Sequence, residues 1–138
     1  MYQSIESRVQ TVKANVDLAC AGINQSPQSV RVIAVSKLQS TDIIKEAYGN
    51  GVRDFGENYA QELHQKVVSC PADIIWHFIG PIQTNKLKLI AESADWVHSI
   101  DRMKVASKLD QACKRLNKNM SVLIQVNIDN EPTKSGVK

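Results

Sequence analysis

The sequence predicts an α/β domain of the form α(βα)4β, whose five parallel strands are an incomplete (β/α)8 TIM-type barrel. Two observations carry that expectation. Helical and strand-like stretches alternate at short spacing along the whole chain, the mark of right-handed βαβ units and a parallel sheet. The 138 residues, 43% of them hydrophobic, suffice for one domain with a real core, whereas a closed barrel of this type takes about 250 residues. Five strands cannot close such a barrel, so two forms stay open: an open sheet with helices on both faces, or the N-terminal part of a barrel. No linker, detailed repeat or low-complexity segment divides the chain, and residues 1–138 are read as a single domain.

Each element has its own signal. Ile5, Val9, Val12, Val16, Ala19 and Ile23 recur at spacings of three and four, which puts them on one stripe of a first helix, with Ser4 as N-cap and an end near Asn24. Ser26-Pro27 punctuates a loop, and Val30 to Val35 is a mostly apolar, β-branched run that reads as a buried strand. Ser40 and Thr41 offer capping hydroxyls to a helix through Ile43, Ile44, Ala47 and Tyr48, which Gly49-Asn50-Gly51 stops with residues that tolerate positive φ. A strand over Val52 to Phe55 follows, then a helix from Tyr59 to Val68, a strand from Ile74 to Ile79, a helix from Thr84 to Glu92 and a strand from Trp96 to Ile100. Asp101 is placed to cap a helix with Ala106, Leu109, Cys113 and Leu116 on its apolar stripe, ahead of the strand Val122 to Asn127.

Composition narrows the function classes. The formal charge of +3 comes from scattered residues with no block of like sign, so neither nucleic acid nor a membrane surface is the expected partner. Cys20, Cys70 and Cys113 are far apart and form no C-x-x-C pair, which suggests neither a disulfide framework nor a zinc site. The N-terminus lacks a basic region followed by an apolar run, and no apolar stretch approaches the roughly 18 residues of a membrane span. A reduced, cytoplasmic, soluble protein is the expectation. There is no Gly-x-Gly-x-x-Gly and no Gly-x-x-x-x-Gly-Lys-Ser/Thr, and His64, His77 and His98 do not fall at chelating helical spacing.

In parallel α/β folds functional groups gather where the strands end and the βα loops begin. Lys37 follows the first strand there, Gly56-Glu57-Asn58 the second, Gly80 to Lys86 the third and Ser99 to Asp101 the fourth, while Asn127 closes the fifth. Strand parity puts Ile33, Val35 and Lys37 on one face, the row that would line a barrel interior. An amine at the rim of an apolar pocket pays a desolvation cost that lowers its pKa, and so becomes able to form an imine with an aldehyde. The plainer reading is a strand-end lysine reaching solvent. His77 is open to either a ring ligand or a structural role, and Asn58, Thr84 and Asn85 to either ligand contact or helix capping. Asn127 interrupts a β-branched strand, and Glu131, Lys134 and Gly136 beyond it also fit a solvated loop.

Taken together, Ala34-Val35-Ser36-Lys37, Phe55-Gly56-Glu57-Asn58-Tyr59, Trp76-His77-Phe78-Ile79-Gly80-Pro81-Ile82-Gln83-Thr84-Asn85-Lys86 and Val126-Asn127-Ile128 with Glu131 and Lys134-Ser135-Gly136 resemble the pyridoxal phosphate homeostasis protein family. Ile82 and Thr84 stand where that family usually has Leu and Ser. The resemblance implies a fold similar to the N-terminal barrel of alanine racemase, and pyridoxal 5′-phosphate held as an internal aldimine on Lys37. It implies a largely non-catalytic role, carrying and buffering a reactive aldehyde, with Asn58, His77, Asn85 and Asn127 as candidate cofactor contacts and Lys134 as a second lysine near the site. Family members continue beyond this chain into loops that hold the phosphate, so the resemblance places the covalent lysine here and most of the phosphate grip elsewhere. The alternatives are a fold-type III enzyme such as an amino-acid racemase, and an α/β binding module in which Lys37 is structural. The full-length form is expected to be monomeric, whereas the first and fifth strands of this chain would be exposed edges that invite self-association.

Overall fold

The computed structural model describes residues 3–138. The Ser4 hydroxyl accepts the Ser7 N–H at 3.1 Å and opens α1, Ile5–Gly22. Of the predicted stripe on α1, Ile5, Val9 and Val16 are half-buried, while Val12 and Ile23 stay exposed and Cys20 supplies the one fully buried contact. The helix is therefore attached along one narrow line, and an open groove of about 690 Å³ runs between it and the start of the first strand, past Val9, Val12, Val30 and Val32. Asn24, at φ 52°, turns the chain out of the helix.

The remaining elements alternate as expected, with shifted ends. They are β1 (Ala34–Val35), α2 (Thr41–Gly49), β2 (Asp54–Glu57), α3 (Ala60–Ser69), β3 (Ile75–Phe78), α4 (Leu87–Ser93), β4 (Trp96–Ile100), α5 (Met103–Arg115) and β5 (Ser121–Ile124). β1 is shorter than the apolar run predicts, and not buried: only Ala34 and Val35 pair, with Phe55 and Gly56. Val30 and Val32 are exposed and line the groove beside α1 instead of extending the ladder. The turn out of α2 uses Gly51 at φ 88°, while Asn50 stays at φ −92°.

Two capping expectations are corrected. Asp101 does not cap α5; Arg102 is the N-cap residue without a side-chain hydrogen bond, and the Asp101 carboxylate instead accepts from Arg102 Nη1 at 2.6 Å. Thr84 and Asn85 cap nothing either. Residues Thr84–Lys86 form a 3₁₀ turn, with the Lys86 N–H donated to the Gln83 carbonyl at 2.9 Å, so the segment satisfies its own backbone before α4 begins at Leu87. On α5 the buried stripe is Val105, Leu109 and Cys113, and Leu116 lies beyond the helix, exposed.

All five strands are parallel and lie in the order β1-β2-β3-β4-β5. Sequential order decides between the two forms left open. When every right-handed crossover steps to the next strand in the same direction, every helix lands on the same face, whereas a doubly wound sheet needs a reversal of strand order. The sheet is therefore wound as in a barrel, and it is not closed: β1 and β5 are both edges. Phe55, Leu63, Ile90, Ala91, Val97 and Val105 fill the layer between sheet and helices, and burying each of the larger aliphatic side chains stabilises the fold by about 1.5–3 kcal/mol. β4 carries one more residue than β5 between the pairs Val97–Val122 and Ile100–Ile124, a bulge that bends the end of the sheet.

Candidate functional site

The C-terminal rim of the sheet is assembled from the βα loops. Ser36 and Gln39 close a turn through a 3.0 Å bond from the Gln39 N–H to the Ser36 carbonyl, with Lys37 and Leu38 at its corner. Leu38 has φ 62°, the left-handed value that the third position of a type II turn demands and that glycine or asparagine usually supplies. A leucine there is strained, and such strain persists where surrounding groups over-determine it. Lys37 itself is exposed and makes no hydrogen bond or ion pair among the described residues.

Beneath the turn lies a buried ionic cluster. The Lys66 ammonium donates to the Ser36 carbonyl at 2.7 Å, to Glu57 Oε1 at 2.7 Å and to Glu62 Oε1 at 2.6 Å. Ser36 Oγ donates to Glu57 Oε1 at 2.6 Å, and the Leu38 N–H to Glu62 Oε1 at 2.7 Å. Burial pushes the Glu57 carboxyl above its ordinary range, against the pull of its hydrogen bonds with Lys66 and Ser36 and of the Lys66 charge. Its second oxygen, Oε2, has no partner. Sequence reasoning missed this cluster. The spacing of Glu62 and Lys66, one helical turn apart, was the available signal.

Lys37 and Asn58 each stand two residues past the last pair of β1 and β2, Val35–Gly56. Asn58 is not an N-cap, since α3 starts after Tyr59. Its side-chain oxygen Oδ1 is buried and has no hydrogen-bond partner, a condition rare in folded proteins. Gly80 comes so close to this strand end that a Cβ on it would lie 2.2 Å from the Asn58 carbonyl oxygen. The loop after β3 is fixed from the other side, where Ser99 Oγ donates to the Gly80 carbonyl at 2.6 Å and Arg102 Nη2 to the Ile82 carbonyl at 2.9 Å. Between the loops after β2 and β3 a cleft of about 220 Å³ is lined by Asn58, Tyr59, Pro81, Gln83 and Lys86. Asn85 is exposed on the same rim.

His77 sits deeper. It is 1% exposed; its Nδ1 lies 2.9 Å from His98 Nε2 and its Nε2 2.8 Å from Asp54 Oδ1, and the ring stacks on Trp96 with centroids 5.9 Å apart. Arg31 extends this chain of polar groups, 3.7 Å from Asp54 Oδ1 and with its guanidinium carbon 5.6 Å from the Trp96 ring centre. Burial, and then the neighbouring His77, hold His98 below the usual imidazole range. Asn127 is equally engaged: its Nδ2 donates to the carbonyls of Glu131 and Lys134 at 3.0 and 3.2 Å, and its Oδ1 accepts the Glu131 N–H at 3.1 Å. It thus shapes the loop that carries the exposed Lys134, which closes through a single bridge between Val126 and Val137. Lys37 and Asn58 lie just past the paired ends of β1 and β2; His77 lies among its own polar partners and Asn127 within its loop.

A family model described as alanine racemase, N-terminal domain, matches residues 8–138. The chain belongs to the alanine racemase N-terminal domain family. Within that family it is 42% identical over 139 residues to the pyridoxal phosphate homeostasis protein of Vibrio alginolyticus, and 38% identical over 138 residues to that of Escherichia coli strain K12. Each alignment covers 97% of this chain and 60% or 59% of the relative, so the chain spans about three fifths of the length of the curated relatives it matches. Among solved structures, PipY of Synechococcus elongatus with PLP bound superposes with a TM-score of 0.74 at 35% identity, over 89% of this chain and 57% of that one. An unknown protein from Bifidobacterium adolescentis reaches a TM-score of 0.89 at 27% identity, over 97% of this chain and 59% of its own. Among the described residues no helix is long and apolar enough to cross a membrane.

Proposed function

We propose that this alanine racemase N-terminal domain chain is the lysine-bearing part of a pyridoxal 5′-phosphate carrier, which holds the cofactor covalently on Lys37 in a largely non-catalytic role. The observation that carries the reading is the Lys37 turn: an amine without a protein partner, on a backbone fastened at both flanking residues, at the C-terminal rim of a barrel-wound parallel sheet. PipY with PLP bound, and the names of the pyridoxal phosphate homeostasis proteins, support the choice of cofactor.

The residues present fit that group. When bound, the cofactor supplies an aldehyde carbon that an unprotonated amine attacks with loss of water. Lys37 Nζ is the amine free to do so. Asn58 Oδ1, without a partner among the described residues, offers an acceptor just past the end of the adjoining strand. Asn85, on the rim, and Lys134, on the loop that Asn127 shapes, are the remaining polar groups that would contact the cofactor. His77 would act on it through Asp54 and His98, its own nitrogens being engaged.

Absorbance on addition of pyridoxal 5′-phosphate tests the reading. A band near the visible edge that is absent in Lys37→Ala is expected; an identical band in that variant would remove Lys37 from the function. Incubation of the loaded chain with L-alanine separates carrier from racemase, since turnover above the free-cofactor background would contradict a non-catalytic role.

A further inference from the structure

We propose that Lys66, acting with Glu57 and Glu62, is a positioning residue for Lys37: the buried cluster holds the Ser36–Gln39 turn in its left-handed form and thereby aims the Lys37 amine. The inference rests on the reading of Lys37 as the cofactor lysine and adds the device that directs it.

The geometry of the turn carries the argument. A leucine at φ 62° is not a conformation the local sequence chooses. It is imposed from outside, because the Leu38 N–H is drawn to Glu62 Oε1 at 2.7 Å and the Ser36 carbonyl to the Lys66 ammonium at 2.7 Å. Ser36 Oγ adds a third tie, to Glu57 Oε1 at 2.6 Å. Lys66 is 5% exposed and Glu57 is fully buried, so the bonds among Ser36, Glu57 and Lys66 are shielded from water, while the Leu38–Glu62 bond lies at the surface end of the cluster. All three ammonium donors of Lys66 are engaged, leaving none for a ligand. The residues on either side of Lys37 are thus fixed to α3 and to the end of β2, while Lys37 has a free side chain on a fixed base. A cluster serving only stability would have no reason to grip both flanks of the exposed lysine and force a leucine into the left-handed region.

The test locates the amine that reacts. The chain is incubated with limiting pyridoxal 5′-phosphate and treated with borohydride, and peptide masses show which lysines are labelled. In the labelled lysine the nitrogen has added to the aldehyde carbon, water has left, and hydride from the borohydride has reduced the carbon–nitrogen double bond to a stable secondary amine. In the unaltered chain Lys37 is expected to carry most of the label. Glu62→Ala removes the acceptor for the Leu38 N–H and is expected to cut the Lys37 share about tenfold, the scale of one lost charge-assisted hydrogen bond. Glu62→Gln, which keeps an acceptor oxygen there, is expected to restore it. Leu38→Gly in the Glu62→Ala background is likewise expected to recover labelling, because glycine adopts the left-handed conformation unaided. Exchange of the Leu38 amide hydrogen should be slow in the unaltered chain and in Glu62→Gln, and fast in Glu62→Ala. Lys66→Met carries the same expectation as Glu62→Ala where circular dichroism shows the fold retained, and the Glu62 variants decide where it is not. A folded Glu62→Ala that labels Lys37 as before, or a loss as large in Glu62→Gln as in Glu62→Ala, overturns the positioning role while leaving Lys37 as the cofactor lysine. Equal labelling of all lysines in the unaltered chain overturns the assignment of Lys37 and this inference with it.

Discussion

Replacing Gly80 with alanine tests the rim where the loops after β2 and β3 meet. The new Cβ would lie 2.2 Å from the Asn58 carbonyl oxygen, 2.7 Å from its Cα and 2.8 Å from its carbonyl carbon. All three are backbone atoms, so no side chain can rotate away, and the oxygen falls roughly 1.2 Å short of ordinary contact at 3.4 Å. Overpacking a well-filled interior costs about 1–3 kcal/mol, and a clash between two backbones belongs at the upper end, near 3 kcal/mol. With a urea m-value of about 2 kcal/mol per molar, the unfolding midpoint should fall by about 1.5 M, and the melting temperature by roughly 10 °C. Gly22→Ala is the control, because nothing lies within 4 Å of its Cβ position and it closes α1 without a left-handed φ. That change should stabilise by up to about 0.5–1 kcal/mol. If Gly80→Ala unfolded at the same urea concentration as the unaltered chain, the two loops would not meet as described, and Asn58 would lose its fixed place on the rim.

Three further outcomes follow from individual contacts. Ser36→Ala deletes the 2.6 Å bond to Glu57 and should destabilise by about 2 kcal/mol in urea titration, the scale for a hydrogen bond to a charged group; a change within error would show that the bond is dispensable. His98 has its proton affinity lowered on folding, first by burial and then by His77, so below its ordinary value of 6.5 the unfolded chain binds more protons and stability falls as pH drops through that window. Glu57 acts in the opposite sense: raised by burial, it is most stabilising below its ordinary value of 4.5 and loses that contribution as pH rises toward its folded value. His98→Gln should therefore remove the rise in stability with pH near neutrality and leave the Glu57 slope, and an unchanged pH profile would contradict the burial of His98. At the sheet edge, Val122, Leu123 and Ile124 are 48%, 45% and 68% exposed, so sedimentation should show self-association that Ile124→Lys suppresses; a monomer at every concentration would refute pairing through β5.

The fold was legible because alternation and apolar periodicity are local properties, and local properties are what a sequence displays. The strand ends were not: only the pairing of Ala34 with Phe55 and of Val35 with Gly56 shows that Val30 and Val32 stay outside the ladder. The cap at Ser4 was read well, and of the pair Ser40 and Thr41 the capping role falls to the serine. The cap was misread at Asp101, whose carboxylate accepts from Arg102, and of the two roles left open for Thr84 and Asn85 the capping one is not taken, because a 3₁₀ turn provides for the backbone there. Loop position put Lys37 and Asn58 on one rim because a parallel sheet delivers every strand end there. The partners of Lys66 come from the turn after β1, from β2 and from α3, and no spacing rule reaches across three segments.

In the proposed reading Lys37 and Lys66 are the same residue type set to opposite uses, and the difference lies in what surrounds the nitrogen. Lys66 Nζ has its three donors met by a carbonyl and two carboxylates within 2.7 Å, so every donor is engaged inside the protein. Lys37 has no such acceptor, and its only restraint lies in the backbone on either side. A nucleophilic lysine needs both conditions at once: an unengaged nitrogen and a defined direction of approach. Direction usually comes from contacts to the side chain itself, and those contacts would engage the nitrogen. Supplying it through the neighbouring backbone, by fixing Ser36 with a second lysine and Leu38 with that lysine's partner Glu62, avoids that conflict. This is why the left-handed leucine matters more to the site than its exposed side chain suggests.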